Sequence, residues 1–303
     1  MTTQTKLSSR AWAEMTLLAT IWGGSFLAIR TALDEIGFLT SVLHRVFWAM
    51  LVLWAIVIFK RLPIPRDPKI WGAFLIMGLL NNAIPFSLMA WGQLYIPTGL
   101  TSIFNAATAV FGVLVAALVF ADERLTPRKM LGVLLGFFGV CLAIGLDALK
   151  QFDTTSLAQL AIVAGTVSYA FASAWARKML GGVPPMIAAA GMLTGSSLII
   201  VPFAITIEGV PSFALGTTTW LSVGYYAIIA TAFAYLLYYR VLGMAGSGNL
   251  MLVTLLIPPV AITLGALVRN ETLHPGEYIG FAILALGLSI IDGRLWRRRA
   301  TTV

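Results

Sequence analysis

The stretch ERLTPRKMLGVLLGFFG, residues 123–139, occurs a second time as ETLHPGEYIGFAILALG, residues 271–287. Both copies contain E-x-L-x-P followed by two glycines at the same spacing, and they lie 148 residues apart. A glutamate, a proline and two glycines in register indicate an internal repeat, because chance matches between apolar segments rarely align polar residues as well. The sequence therefore predicts two related halves, residues 1–148 and residues 149–303.

The composition around this repeat excludes several classes of protein. Of the 303 residues, 59% are hydrophobic and only 11% are charged, and the mean hydropathy is +0.91. Soluble domains carry about 25% charged residues, so an ordinary soluble globular protein and a disordered chain are both excluded. The net charge of +8 does not indicate nucleic-acid binding, because the positive residues are dispersed between apolar runs. The expected surroundings are a lipid bilayer.

Ten apolar runs are long enough to cross such a bilayer, which requires about 20 residues per helix. The runs are continuously apolar rather than alternating, so they predict α-helices and not a β-barrel. The predicted fold is therefore all-α, with ten transmembrane helices. The ten predicted spans are Trp12–Thr31, Leu43–Phe59, Ile70–Gln93, Thr98–Phe120, Pro127–Ile144, Leu157–Arg177, Pro184–Ile207, Thr219–Leu242, Asn249–Leu267 and Tyr278–Leu295.

The orientation of the repeat follows from the number of spans. Five spans separate the two copies of the motif, and an odd number places the second copy upside down in the membrane. Positive residues concentrate in cytoplasmic loops. With both termini in the cytoplasm, 16 of the 20 Lys and Arg residues fall on the cytoplasmic side, the other four being Arg30, Arg45, Lys150 and Arg269. Inverted repeats are typical of alternating-access carriers, whose substrate site lies between the halves.

These motifs resemble a known family. The W-G-x-S-F pattern at Trp22–Phe26, Arg45 and the E-x-L-x-P segments at Glu123 and Glu271 are similar to those of the EamA family, in the drug/metabolite transporter superfamily. In length and number of spans the chain resembles bacterial amino-acid and metabolite exporters of the YddG type. The resemblance implies a basket-like bundle in a bacterial inner membrane, with spans 1, 3, 4, 6, 8 and 9 around a central cavity and spans 5 and 10 at the periphery.

Polar residues within the spans are the first candidates for binding substrate, because polar groups at membrane depth are costly. Asn81 and Asn82 lie in the third span, Asn105 in the fourth and Ser25 in the first. The alternative for each asparagine is a hydrogen bond that joins two helices, and for Ser25 close helix packing. Both interpretations stay open for these four residues.

Three prolines are candidates for gating. Pro85 lacks a backbone donor, so it frees a carbonyl near Asn81 and loosens the turn around it. Pro258 and Pro259 are expected to interrupt the i→i−4 hydrogen bonds of the ninth helix in the same way, which frees carbonyls near Thr254–Leu255. The alternative for all three is a packing kink.

Aromatic residues complete the predicted binding site. Trp22 and Tyr169 match each other at an offset of 147 residues, and Trp91 and Tyr239 match at 148. Tyr235 shares a helix face with Tyr239, since a helix turns about 100° per residue. These side chains combine an apolar body with a polar group, and their faces attract ammonium groups. The alternative for Trp91 and Tyr239 is an interfacial aromatic belt.

Charged residues near the spans divide by role. Arg45 is expected at the outer start of the second span, where it either reaches the interface or orients a substrate carboxylate at the outer mouth. Glu14 is expected near the cytoplasmic edge. Glu123 and Glu271 are expected to face the N-terminal amides of neighbouring helices.

The function that these features predict is export of small amphiphilic metabolites, chiefly aromatic or methyl-bearing amino acids, by alternating access. A Walker A motif is absent from the sequence, and no carboxylate lies mid-span, so transport is expected to be facilitative. The alternative is proton-coupled drug or metabolite efflux with Glu14 as the titrating group, and a channel is a further alternative. An enzyme, a cofactor or a metal site is not expected, because the two histidines, His44 and His274, lie at distant span ends.

Overall fold

A computed structural model gives the arrangement of the chain. It describes residues 8–121, 125–144, 154–238, 240–241, 244 and 252–292. Within these ranges every regular element is a helix. The predicted all-α class is therefore confirmed.

Ten helices follow one another in the described residues, close to the ten predicted spans. They are α1 (Ser9–Ala32), α2 (Phe38–Phe59), α3 (Pro68–Gly92), α4 (Thr98–Val119), α5 (Pro127–Ile144), α6 (Thr154–Met179), α7 (Pro185–Glu208), α8 (Thr217–Tyr238), α9 (Leu252–Arg269) and α10 (Pro275–Asp292). Seven of them are long and apolar enough to cross a membrane, and α5, α9 and α10 have 18 residues each. The chain is a multi-pass membrane protein.

The pair formed by α5 and α10 demonstrates the inversion of the repeat. A Cβ atom added to Gly132 of α5 would meet the carbonyl oxygen of Gly287 at 2.6 Å, and one added to Gly139 would meet that of Gly280 at 2.6 Å. The two helices are therefore antiparallel. In the repeat, Gly132 corresponds to Gly280 and Gly139 corresponds to Gly287. Exchanging the two halves therefore turns the contact of Gly132 with Gly287 into the contact of Gly280 with Gly139. A two-fold axis in the membrane plane relates such halves.

The remaining eight helices form a closed ring. Around it, each helix packs against the next in the order α1, α9, α4, α6, α3, α7, α2, α8 and back to α1. Exchange of the two halves (α1 for α6, α2 for α7, and so on) reproduces the same order. The α5–α10 pair lies outside the ring and contacts it through α4. This position agrees with the peripheral role that the resemblance implies for spans 5 and 10.

We call the membrane face on which α1 begins the N-terminal face, and the other the opposite face. On the opposite face three glutamates bind the N-termini of helices from elsewhere in the ring. Glu208 accepts from the amides of Leu39 and Thr40 at 3.0 and 2.8 Å, and Glu271 accepts from the amide of Thr98 at 2.8 Å. A carboxylate at a helix N-terminus stabilises the unpaired amides and the positive end of the helix dipole. The structural role predicted for Glu271 is confirmed, while Glu123 lies outside the described residues.

The third of these glutamates, Glu35, ties the end of α1 to the start of α8. Its carboxylate accepts from the amide of Gly216 at 2.9 Å and from the hydroxyl of Thr219. These donors, the hydroxyl first, lower the pKa of Glu35 below its usual value. On the N-terminal face Glu14 of α1 forms ion pairs with Arg10 and with Arg240, just beyond α8. Polar contacts thus join α1 to the region of α8 at both faces.

Candidate functional site

The site is built around irregular turns at mid-membrane depth. In α3 the residues Leu79–Ala83 form a π-helical turn that ends two residues before Pro85. Proline cannot donate to the carbonyl of Asn81, and the wider turn accommodates the missing hydrogen bond. The loosened turn predicted from Pro85 is therefore confirmed, whereas its role in gating stays a prediction.

The second π-helical segment lies in α8, over Tyr225–Phe233. It contains residues 227–231, which correspond to Leu79–Ala83 at the repeat offset of 148. No proline lies in this segment. Instead the hydroxyl of Thr231 donates to the carbonyl oxygen of Tyr226, five residues earlier, at 2.7 Å. Because single π-turns concentrate at functional sites, the symmetric pair marks the region between the halves as the candidate site.

Each π-segment is stabilised by a donor from a helix of the other half. The Trp22 indole donates to the carbonyl oxygen of Ala230 at 3.2 Å, and the Ser168 hydroxyl donates to that of Leu80 at 2.7 Å. Trp22 also lies 6.0 Å from Tyr238, between ring centroids. Trp22 was predicted to bind substrate. The structure places it against the backbone of α8, and its contact with substrate stays a prediction.

Two further ring helices carry an irregularity at equivalent positions. The helical hydrogen-bonding pattern of α4 is interrupted at Ala107, which corresponds to Leu255 in the repeat. Leu255 carries one of the two carbonyls that Pro258 and Pro259 leave without a helical partner. The sequence predicted freed carbonyls here, and α9 nevertheless continues as one α-helix through both prolines. The two missing bonds are insufficient to interrupt a helix that is packed on α1 and α4.

Arg45 lies on the inner side of α2 and contacts α3 and α8. Its Nε donates to the Thr231 hydroxyl of α8 at 3.0 Å, and its guanidinium carbon lies 3.9 Å from the ring centroid of Phe86 in α3. The hydroxyls of Tyr169 and Tyr235 are close enough to interact with it electrostatically. A cation held against aromatic faces at this depth is an expensive arrangement, which is typical of functional residues.

This position corrects the expectation for Arg45. The predicted second span began at Leu43, but α2 begins at Phe38, so Arg45 lies about 10 Å into the helix at 1.5 Å per residue. The helix starts earlier because Glu208 binds its first amides. Arg45 points towards α3 and α8 across the interior, and it does not extend to the interface.

A polar network from α3, α7 and α8 adjoins Arg45. The Asn81 amide donates to the Tyr235 hydroxyl at 3.4 Å and to the Met192 sulfur at 3.3 Å. Asn82 is fully buried and donates to the Ser196 hydroxyl at 3.0 Å. Asn82 thus makes the helix-joining bond that was the alternative for it, while Asn81 is partly accessible. We call Arg45, Asn81, Phe86, Tyr169, Thr231 and Tyr235 the central cluster.

The other predicted binding residues lie apart from the central cluster. Ser25 is buried and donates to the carbonyl of Trp22 in its own helix. Trp91 contacts Tyr95 at the opposite-face end of α3, with 5.2 Å between ring centroids, which favours the interfacial alternative. Asn105 is partly accessible, beside the interruption of α4. Tyr239 lies outside the described residues.

Sequence reasoning missed Phe86, Thr231, Met192 and Ser196. Each is an ordinary residue of an apolar span, and only its neighbours across the ring give it a role. Thr231 carried a weak signal in the sequence, because the repeat offset of 148 aligns it with the segment around Asn81.

Ten membrane helices in two inverted halves, with a polar cluster where the halves meet, define a membrane transporter. A model of the EamA-like transporter family matches residues 12–145 and again residues 156–291. The chain belongs to this family, and the two matches correspond to the two inverted copies.

Named relatives are similar along almost the whole chain. A "Probable amino-acid metabolite efflux pump" from Escherichia coli (strain K12) is 27% identical, with 93% of this chain and 95% of that protein covered. A "Probable terminal-alkyne amino-acid exporter" from Streptantibioticus cattleyicolor is 25% identical, with 97% of each covered. A solved crystal structure aligns at a TM-score of 0.68 and 18% identity over 96% of this chain and 99% of that one, which supports the fold.

Proposed function

We propose that this transporter exports small amphiphilic metabolites, chiefly aromatic or methyl-bearing amino acids, down their own gradient by alternating access. The observation that carries the proposal is a ring of two inverted halves that is closed towards one face. Substrate would bind at the central cluster from the N-terminal face and leave at the opposite face. The printed names of the relatives, which concern amino acids, support the substrate class.

Contacts across the ring support the closed opposite face. Helix α1 packs against the opposite-face half of α4, and α2 packs against the opposite-face half of α3. The equivalent pairs, α6 with α9 and α7 with α8, would meet at the N-terminal face, where residues 239 and 245–251 lie outside the described ranges. Alternating access requires these equivalent pairs to separate while the opposite face is closed, because exchanging the roles of the halves reverses the opening.

The orientation is part of the proposal. Sixteen of 20 Lys and Arg residues lie on the side assigned to the cytoplasm, which supports cytoplasmic termini in a bacterial inner membrane. Opening at the N-terminal face would then load substrate from the cytoplasm, as export requires.

Counterflow tests the proposal. Purified protein is placed in liposomes loaded with one unlabelled amino acid, and uptake of the labelled compound is followed. We expect transient accumulation of at least one aromatic or methyl-bearing amino acid, and a lower rate in Asn81→Leu. Protein-free liposomes are the control. Absence of counterflow across the full amino-acid panel would contradict the proposed substrate class.

Glu14 supports a second candidate, proton-coupled efflux. Its side chain is only 12% exposed, and its Oε2 atom has no hydrogen-bond partner in the part of the chain that the structure describes. A proton gradient would then drive export through this carboxylate. Glu14→Gln should abolish uptake driven by a pH gradient, while Asp67→Asn, an exposed carboxylate on the same face, should not. A normal gradient-driven rate in Glu14→Gln would exclude Glu14 as the coupling group.

A further inference from the structure

We propose that Arg45 binds the carboxylate of the transported molecule, so that the central cluster selects substrates that carry a carboxylate. The inference rests on the proposed function in one respect, namely that the ring interior is the transport route. It adds the residue and the chemical group that decide which molecules pass.

The unused donors of Arg45 are the first argument. A guanidinium carries five N–H groups in a planar fork. In this chain Nε donates to Thr231, but neither terminal amino group donates to any residue within the described ranges. Two parallel donors of this kind match the two oxygens of a carboxylate.

The charge of Arg45 is the second argument. Among the described residues, no carboxylate forms an ion pair with it. Arg10, Arg30, Arg240 and Arg269, by contrast, all have acidic partners. Holding a cation inside a membrane-spanning ring without a counter-ion is unfavourable. A substrate anion would offset that cost.

Access is the third argument. Arg45 retains accessible surface although its contacts lie in α3 and α8. The contacts with Phe86 of α3 and Thr231 of α8 place the guanidinium on the inner side of α2, where α2 meets both helices. The guanidinium is therefore presented to the central space, on the inner side of the closed opposite face.

The surroundings suit the rest of an amino acid. Asn81 uses its amide nitrogen for its hydrogen bonds, so its oxygen is available to an ammonium group. The rings of Phe86 and Tyr169 lie edge to face, 6.5 Å apart, and provide an aromatic wall. Aromatic faces bind both ammonium groups and apolar side chains.

The experiment compares matched compounds in counterflow. Each set contains an amino acid, its 2-oxo acid and its decarboxylated amine, for example leucine, 4-methyl-2-oxopentanoate and isoamylamine. They are tested on wild type, Arg45→Gln, Arg45→Lys and the control Lys60→Gln, an exposed cation at the end of the same helix. We expect wild type and Lys60→Gln to carry the carboxylates and to exclude the amines. In Arg45→Gln the preference for carboxylate should fall about 10- to 100-fold, as expected when a hydrogen bond to a charged group is lost.

Each outcome decides between the proposals. Wild type that carries only the 2-oxo acids would contradict amino-acid export and would support Arg45 as a carboxylate site. Wild type that carries amines as fast as acids would overturn the inference, as would an unchanged preference in Arg45→Gln. If that variant does not fold, Arg45→Lys decides, because it keeps the charge but loses the fork. Its half-saturation concentration for carboxylates should rise about tenfold, and an unchanged value would overturn the inference.

Discussion

The side-chain amide of Gln93 donates a 2.9 Å hydrogen bond to the main-chain carbonyl of Phe26, on the far side of the helix ring. Gln93 follows α3 and is only 1% exposed, and Phe26 belongs to α1, the helix diametrically opposite α3 in the ring. The bond lies on the opposite face, above the central cluster. Opening of this face must separate the two residues.

Removal of this bond should therefore favour opening. In Gln93→Leu the carbonyl of Phe26 loses its side-chain donor but stays within the hydrogen-bond ladder of α1, so the cost to the closed state should be about 0.5–1.5 kcal/mol. Spin labels at Ile36 and Leu94, on a Cys141→Ser background, should report a larger population of long distances. The control is Gln159→Leu, a second buried glutamine towards the same face. Identical distance distributions in Gln93→Leu and wild type would refute this role for Gln93.

The indole of Trp22 is expected to stabilise the π-segment of α8. Trp22→Phe keeps the aromatic bulk but removes the donor to Ala230, so the free energy of unfolding should fall by about 1–3 kcal/mol. Trp12→Phe, in the same helix, is the matched control, because Trp12 is 44% exposed. Denaturant unfolding in detergent measures both. Equal stability of the two variants would mean that the bond to Ala230 contributes nothing.

Close packing of α5 on α10 should be sensitive to a single methyl group. In Gly139→Ala the new Cβ would lie 2.6 Å from the carbonyl oxygen of Gly280, so the helices must separate. We expect a loss of about 1–3 kcal/mol in the free energy of unfolding, as for overpacked cores. Gly112→Ala in α4 meets no atom within 4 Å and should gain up to about 1 kcal/mol from helix propensity. A neutral Gly139→Ala would contradict the antiparallel contact.

Stability should depend on pH through Asp34, which joins α1 to α9. The Arg269 guanidinium, at 2.7 Å, lowers the pKa of Asp34 below its ordinary value. A lowered pKa in the folded state stabilises the protein above the pKa of the unfolded chain, and this contribution is lost as the pH falls through the folded value. Since Asp34 is 49% exposed, we expect Asp34→Asn to cost about 1 kcal/mol or less at pH 7.

The pH profile supplies the check on this prediction. The difference between Asp34→Asn and wild type in thermal unfolding should shrink as the pH is lowered below the pKa of a free aspartate, about 3.9. A difference that is constant from pH 7 to pH 3 would assign the effect to geometry rather than to charge.

Much of the candidate site could be predicted from the sequence, but the position of Arg45 could not. Asn81, Tyr169 and Tyr235 were recognised because polar and aromatic residues stand out in apolar spans, and Pro85 correctly predicted a loosened turn. Arg45 was placed at the interface because the predicted second span started at Leu43, only two residues before it. Glu208, from a helix more than 160 positions away, extends α2 beyond that apparent start. Long-range capping of this kind leaves no local pattern.

The sequence by itself determined the number of helices, their inverted repetition and the class of protein. Hydrophobic length and motif spacing are properties of contiguous segments, and the bilayer converts them directly into spans. Only the tertiary structure decided which helices adjoin, which face is closed and which side chains meet at the centre. Those outcomes depend on how each helix is rotated and shifted against its neighbours, and that is set by contacts such as Arg45 with Phe86 and Trp22 with Ala230, which form only when distant segments pack together.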